Sequence, residues 1–118
     1  MSILIACLST GKGTWGHVNK IIEDGNFEKI FLITNEYGKE NFKANNKTEL
    51  ISLPLQQGIR ELRDSIYAQL KDKLKNPEVA INIISGSGKE HTALLSALLK
   101  LGLAIKFVAL TKDGIEEI

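Results

Sequence analysis

The chain has 118 residues, 43% of them hydrophobic and 25% charged, with a formal net charge of +1. This length suits one sheet covered by helices, so we expect a single domain over residues 1–118. The balanced charge argues against charge-driven binding to duplex DNA or to an anionic membrane. No uncharged apolar run approaches the roughly 20 residues of a membrane span. The apolar start lacks a basic lead-in, and there is no disulfide framework, so we expect a cytoplasmic protein.

Short, non-alternating apolar runs recur along the chain, as is typical of strands buried on both faces of a parallel sheet. They span residues 3–8, 30–33, 79–84 and 104–110. The run 48–53 alternates more and ends at Pro54, which predicts an edge strand. Asp113-Gly114 is a hairpin signal that predicts a short antiparallel edge strand over 115–118.

Helical periodicity separates these runs and predicts helices over residues 14–25, 36–42, 59–74 and 90–101. In the first helix Trp15, Val18, Ile21 and Ile22 should face inward, and in the third the inward stripe is Ile59, Leu62, Ile66, Leu70 and Leu74. The alternation predicts an α/β, Rossmann-like, doubly wound fold with a mainly parallel five-stranded sheet in the order 3-2-1-4-5.

The last helix has almost no polar face. Its apolar residues are Ala93, Leu94, Leu95, Ala97, Leu98, Leu99 and Leu101. A helix that is apolar all round needs cover on two sides, and a small domain has little to offer on the second side. We therefore expect a two-fold homodimer that pairs through this helix, with burial by neighbouring helices as the alternative.

Two glycine-rich segments follow predicted strands and enter predicted helices. They are Ser9-Thr10-Gly11-Lys12-Gly13-Thr14-Trp15-Gly16 and Ser85-Gly86-Ser87-Gly88-Lys89-Glu90. Each combines accessible backbone N–H groups, hydroxyls, one lysine and a helix N-terminus, a mixture that suits phosphate. In a doubly wound sheet the two preceding strands are neighbours at the switch point, so both segments should flank one crevice.

Known phosphate motifs fit these segments less well. Gly11, Gly13 and Gly16 match the dinucleotide fingerprint G-x-G-x-x-G, and Glu36 follows at the expected distance. Ser9-Thr10 and Lys12 interrupt that pattern, so a small dinucleotide- or mononucleotide-binding protein is the alternative hypothesis. A Walker A loop is excluded, because Ile83 stands where a glycine is required and Glu90 where a Ser or Thr binds magnesium.

The run Val79-Ala80-Ile81-Asn82-Ile83-Ile84-Ser85-Gly86-Ser87-Gly88-Lys89, with the apolar helix and the strand Ile105-Lys106-Phe107-Val108 after it, resembles the signature of CRISPR-associated Rossmann-fold (CARF) domains. The turn Ser9-Thr10-Gly11 is similar to the other ligand-binding loop of that family. The resemblance implies a role in antiviral defence as a homodimer that binds a cyclic oligoadenylate across its two-fold axis. Some members also cleave this ligand without a metal and are called ring nucleases.

The sequence leaves open whether this chain only binds such a ring or also cleaves it. Most members of that family carry an effector domain, and none is recognisable within residues 1–118, so we expect either a separate output partner or removal of the signal. The predicted ligand-binding residues are Ser9, Thr10, Gly11, Lys12, Gly13, Ser85, Gly86, Ser87, Gly88 and Lys89. For cleavage the candidates are Lys89, to neutralise charge on the transition state, and Ser9.

Other chemistry-bearing residues have two interpretations each. His17 and His91 are candidate general acids or ordinary exposed histidines, and Trp15 is either a core residue or a base-stacking platform. Asn82 lies within a predicted strand, where a buried amide needs partners, and it would tie the two loops together. Cys7 is expected to be a buried core thiol. We expect no metal and no cofactor, because no ligand cluster has metal-site spacing.

Overall fold

The computed structural model describes residues 2–8 and 12–118, with the backbone alone for Lys12. The strands are β1 (Ile3–Cys7), β2 (Lys29–Thr34), β3 (Thr48–Ser52), β4 (Glu78–Asn82), β5 (Ala104–Thr111) and β6 (Gly114–Glu117). The helices are α1 (Trp15–Asp24), α2 (Glu36–Asn41), α3 (Ile59–Leu70) and α4 (Gly88–Lys100). A 3₁₀ turn over Lys12–Thr14 leads into α1.

The strands form one six-stranded sheet in the order β3-β2-β1-β4-β5-β6. Strands β1 to β5 pair in parallel, and β6 returns antiparallel along β5 with Thr111 opposite Gly114. The turn between them needs Gly114, whose φ of 108° lies in the region that favours glycine. The predicted fold class, strand order, edge position of β3 and C-terminal hairpin are therefore confirmed.

Both faces of the central strands are buried, which explains the non-alternating apolar runs. In β1 the side chains of Ile3, Ile5 and Cys7 belong to the core beneath α3 and α4. Leu4 and Ala6 belong to the core beneath α1. Helices thus cover both faces, and the carboxyl ends of β1 to β5 meet at one edge of the sheet.

Helix α1 has the predicted bounds, and Trp15, Val18, Ile21 and Ile22 are buried as expected. Thr14 holds the N-cap position without a side-chain capping hydrogen bond, because it completes the preceding 3₁₀ turn. Within residues 2–8 and 12–118, no helix is long and apolar enough to cross a bilayer.

Helix α3 is shorter than the apolar stripe predicted. It ends at Leu70, after which the chain tightens into turns, with the Lys73 N–H bonded to the Leu70 carbonyl at 3.0 Å. Leu62, Ile66 and Leu70 are buried, but Ile59 at the first helical position is 47% exposed. The apolar stripe therefore predicts burial of Ile59 wrongly, because the first turn of α3 lies at the margin of the core.

Helix α4 begins at Gly88, earlier than predicted, because Ser87 acts as its cap. Its buried residues are Ala93, Leu94, Ala97 and Leu98, which join the same core as the inward side of α3. Leu95 and Leu101 are half-buried against that core, whereas Leu99 is 67% exposed. The sheet and α3 thus cover most of the apolar surface of α4, and Leu99 is left facing outward.

Candidate functional site

The two glycine-rich segments leave adjacent strands at the same edge of the sheet. Strand β1 pairs in parallel with β4, and Ala6 stands opposite Asn82. Strand β2 lies on the other side of β1, so the order of strands reverses between β1 and β4. A crevice outside such a reversal is where open α/β sheets bind ligands. The predicted Ser9, Thr10 and Gly11, and the side chain of Lys12, lie outside the described residues.

Gly86 brings the second segment directly onto the end of β1. Its φ is 107°, and a β-carbon built there would stand 3.0 Å from the β-carbon of Cys7 and 2.9 Å from Oε1 of Glu90. Both the backbone conformation and the lack of space call for glycine at this position. Gly86 is therefore needed for the close packing of the β4–α4 loop, whatever it does for a ligand.

A reciprocal capping box organises the start of α4. The Ser87 hydroxyl accepts the Glu90 N–H at 3.3 Å, and the Glu90 carboxylate accepts the Ser87 N–H at 3.2 Å. Two amides that the sequence offered to a phosphate are thus satisfied within the chain. The amides of Gly88 and Lys89 lie between them in the first turn and take no part in the box.

Lys89 reaches across the carboxyl edge toward α3. Its ammonium group donates to the Gln57 carbonyl at 2.9 Å, just before α3 begins. An ammonium group has three donors, so this contact leaves Lys89 able to bond an anion at the same time. The side chain is partly buried and its charge is held at the sheet edge.

Ser85 and His91 form a structural pair beneath the loop. Ser85 is 1% exposed, and its carbonyl oxygen lies 2.8 Å from Nε2 of His91. A carbonyl only accepts, so His91 carries its hydrogen on Nε2. The Ser85 hydroxyl is buried, which favours a structural role for this predicted ligand-binding residue.

Asn82 and His17 tie the end of β4 to its neighbours. The Asn82 amide donates to the Val108 carbonyl of β5 at 2.9 Å and lies 3.4 Å from Nε2 of His17. The same Nε2 accepts the Leu110 N–H at 3.3 Å, so His17 carries its hydrogen on Nδ1. Asn82 is 1% exposed, and it links β4, β5 and α1 as a buried polar anchor.

Two more residues singled out from the sequence lie in the core. Cys7 is 1% exposed, and burial, together with the charge of Glu90, raises the pKa of its thiol to about 12. A thiol in this state is not a nucleophile near neutral pH. Trp15 is 9% exposed and packs edge-on against Phe42 with ring centroids 5.7 Å apart. Its ring is therefore a core element beneath α1 and α2.

Sequence reasoning missed a cavity of about 390 Å³ at the carboxyl ends of β2 and β3. It is lined by residues that directly follow or end these strands, among them Asn35, Glu36, Tyr37, Ser52, Pro54 and Gln56. The signal was present as polar side chains at two strand ends. Glu36 was noticed only for its distance from Gly16. Among the described residues, no group of three His, Cys, Asp or Glu side chains could hold a metal ion.

No protein-family model matches the chain, and no curated protein sequence does either. Twenty-one chains of solved structures match it in fold. One is Csm6 of Enterococcus italicus bound to cyclic hexa-2'-fluoro-hexa-dAMP, with a TM-score of 0.60 and 13% sequence identity. The match covers 95% of this chain and 34% of that one, so this chain spans about a third of its length. At this identity the likeness shows the fold alone.

Proposed function

We propose that this protein binds a cyclic oligoadenylate in the crevice between the segments that follow β1 and β4. The observation that carries the proposal is the pairing of β1 with β4, Ala6 opposite Asn82, which sends both glycine-rich segments to one edge. The CARF-like signature over residues 79–89 points to this ligand class. The fold shared with a Csm6 that was solved with a cyclic hexa-nucleotide analogue gives it further support.

The contacts at α4 suggest where a phosphate of the ring binds. The Glu90 carboxylate lies beside Gly86, and its negative charge disfavours a phosphate directly over that glycine. The Gly88 and Lys89 amides lie in the first turn of α4 outside the capping box, and the Lys89 side chain leaves from the same turn. A phosphate bound there would accept from the helix amides and from Lys89, while Lys89 keeps its bond to Gln57.

The first segment is expected to complete the site from the β1 side. Ser9, Thr10, Gly11, Lys12 and Gly13 are proposed to contribute backbone N–H groups, hydroxyls and a second lysine. Gly13 lies in the 3₁₀ turn before α1, is exposed, and has open space where a β-carbon would be. Nothing in the described part of the chain packs against this side of Gly13, in keeping with a ligand at this position.

Binding without an acid–base step is the activity that the geometry supports best. Both histidines that the sequence offered as general acids are engaged with the backbone, His17 with Leu110 and His91 with Ser85. If cleavage accompanies binding, the ring's own 2'-hydroxyl would attack the adjacent phosphorus. The P–O5' bond would then break and the hydroxyl proton would pass to the leaving 5'-oxygen. Lys89 would neutralise charge on the phosphoryl oxygens, and Ser9 is the other candidate.

The homodimer is proposed on the apolar surface that remains around α4. Leu99 is 67% exposed and Phe107 is 40% exposed. Phe107 is two residues after Ile105 in β5, so both side chains lie on the same face of the sheet. Ile105 packs against the core shared by α3 and α4, which places Phe107 on the α4 side. Exposed leucine and phenylalanine side chains on one side of a small domain favour contact with a second copy.

The dinucleotide alternative gains little from the structure. In that fingerprint the third glycine permits close packing of the helix against the strand. Here Gly16 is exposed on α1, and a β-carbon on it would meet nothing within 4 Å. Packing therefore does not require glycine at position 16. The physical reason for the third glycine of the fingerprint is missing here.

A thermal-shift and calorimetric screen tests the proposal. The protein is titrated with cyclic tetra-adenylate, cyclic hexa-adenylate, their linear forms, NAD and ATP. We expect a cyclic oligoadenylate to raise the melting temperature, because a ligand selective for the native state stabilises it. A response to NAD or ATP alone would establish the alternative, and no response to any ring would overturn the proposal. Chromatography of labelled ring incubated with stoichiometric protein and EDTA then decides whether cleavage follows.

A further inference from the structure

The cavity at the ends of β2 and β3 has a composition that fits a nucleoside. Its volume of about 390 Å³ is in the range of small-molecule sites. One wall comes from Asn35, Glu36 and Tyr37 at the end of β2, and the other from Ser52, Pro54 and Gln56 at the end of β3. Polar groups and a ring thus face one space built from two neighbouring strands.

Glu36 determines the polarity of this cavity. It is the charged residue among the described lining residues, and its negative charge disfavours a phosphate there. Its Oε1 accepts the Ser52 hydroxyl at 3.0 Å, which fixes the carboxylate across the two strand ends. A carboxylate accepts several hydrogen bonds, so the same group can take hydroxyls from a sugar.

The remaining walls suit a flat heterocycle. The Tyr37 ring is 42% exposed and is supported by Trp15, with centroids 6.1 Å apart. Asn35 is held in place by the Gly38 N–H, which donates to its Oδ1 at 3.1 Å, so the NH₂ end of the amide is a positioned donor. An aromatic face beside a fixed amide is the combination that stacks a base and bonds its edge.

We propose that this cavity binds a nucleoside, with a ribose hydroxyl on the Glu36 carboxylate and the base against Tyr37. The cavity opens at the same edge as the crevice between β1 and β4, because β1, β2 and β3 pair in parallel. Neighbouring strands are about 5 Å apart, so one oligonucleotide reaches from the crevice to the cavity. That the nucleoside belongs to a cyclic oligoadenylate rests on the proposed function. The cavity's preference for a nucleoside over a phosphate does not.

The test is an amide NMR titration of the protein with adenosine, 2'-deoxyadenosine and inorganic phosphate, each to its solubility limit. Adenosine is expected to shift resonances of the cavity residues, and 2'-deoxyadenosine to bind at least tenfold more weakly because it lacks a hydroxyl. Phosphate is expected to leave the cavity resonances unmoved. If adenosine shifts no cavity resonance, or if phosphate shifts them as strongly, the inference is wrong.

The variants E36Q and E40Q form the matched pair. Glu40 lies on the same helix α2, is exposed, and does not line the cavity. E36Q is expected to lose at least tenfold in adenosine affinity and E40Q to bind as the unchanged protein. Equal binding by the two variants would overturn the inference. If a cyclic oligoadenylate binds E36Q and wild type equally, the proposed ring binding stands and the cavity takes no part in it. If adenosine binds in the cavity but no cyclic oligoadenylate binds the protein, the nucleoside site stands and the proposed function is wrong.

Discussion

Gly86 and Cys7 approach so closely that a β-carbon on Gly86 would stand 3.0 Å from the β-carbon of Cys7. Cys7 is fixed on the buried strand β1 and cannot give way. The φ of 107° at Gly86 adds backbone strain for any other residue. We expect G86A to lower the free energy of unfolding by about 1–3 kcal/mol, measured by urea denaturation.

G16A is the matched control for this glycine. Gly16 lies within α1, and a β-carbon there would meet nothing within 4 Å. Alanine is the better helix former, so G16A should raise the free energy of unfolding by up to about 1 kcal/mol. If G86A unfolds at the same urea concentration as G16A, the claim that Gly86 is required for close packing of the β4–α4 loop on β1 is wrong.

The buried thiol of Cys7 predicts a specific loss of stability at high pH. Its pKa is raised from 9.0 to about 12, mainly by burial, so the folded state retains the proton that the unfolded state loses. The contribution of Cys7 is therefore full below pH 9 and is lost as the pH rises toward 12. We expect the stability difference between wild type and C7A to be constant below pH 8. Above pH 9 it should fall by about 1.4 kcal/mol per unit. A difference that stays flat through this range would contradict the pKa shift.

The hydrogen bonds of Asn82 predict a role in stability. N82A removes the buried donor to the Val108 carbonyl and takes away the amide that lies 3.4 Å from Nε2 of His17. We expect a loss of about 1–3 kcal/mol in the free energy of unfolding. Asn19 on α1 bonds to Glu23 at an exposed site, so N19A should change stability by less than about 0.5 kcal/mol. Equal urea midpoints for the two variants would exclude an anchoring role for Asn82.

The sheet could be predicted because its signals are local. The apolar runs of β1 and β4 are continuous since both of their faces are buried, and right-handed crossovers then permit few strand orders. The β5–β6 hairpin was equally local, because Gly114 supplies a left-handed φ that the turn requires. These features needed no knowledge of which distant side chains meet.

The details of the site depended on contacts that a linear pattern does not contain. Lys89 bonds to the carbonyl of Gln57, 32 positions away, and this contact requires α3 and α4 to be packed side by side. Ser87 and Glu90 did carry a local signature, S-x-x-E, which marks a capping box. The same segment also resembles a phosphate-binding loop. The linear pattern therefore does not distinguish amides that bind a ligand from amides that bond within the capping box.

Lys89 is expected to contribute most of the charge that one ring phosphate meets. K89M keeps the length of the side chain and removes its donors, so we expect a loss of about 2 kcal/mol, near 30-fold, in affinity for a cyclic oligoadenylate. K100M at the other end of α4 is the control and should bind the ring as wild type does. Calorimetry at matched ionic strength measures both. Equal affinities for the two variants would remove Lys89 from the site.

Leu99 is expected to stabilise the homodimer. Its side chain is 67% exposed on a helix whose other apolar residues pack against the sheet and α3, and pairing with a second copy would remove it from water. L99K would place a charge in the pairing surface, and two-fold symmetry would bring both copies of that charge close together. Sedimentation equilibrium should therefore show a dimer for wild type and a monomer for L99K. Asn19 is exposed on α1, which packs on the opposite face of the sheet, so N19K should remain dimeric. A wild type that sediments as a monomer, or an L99K that stays paired, would place the dimer interface elsewhere or exclude it.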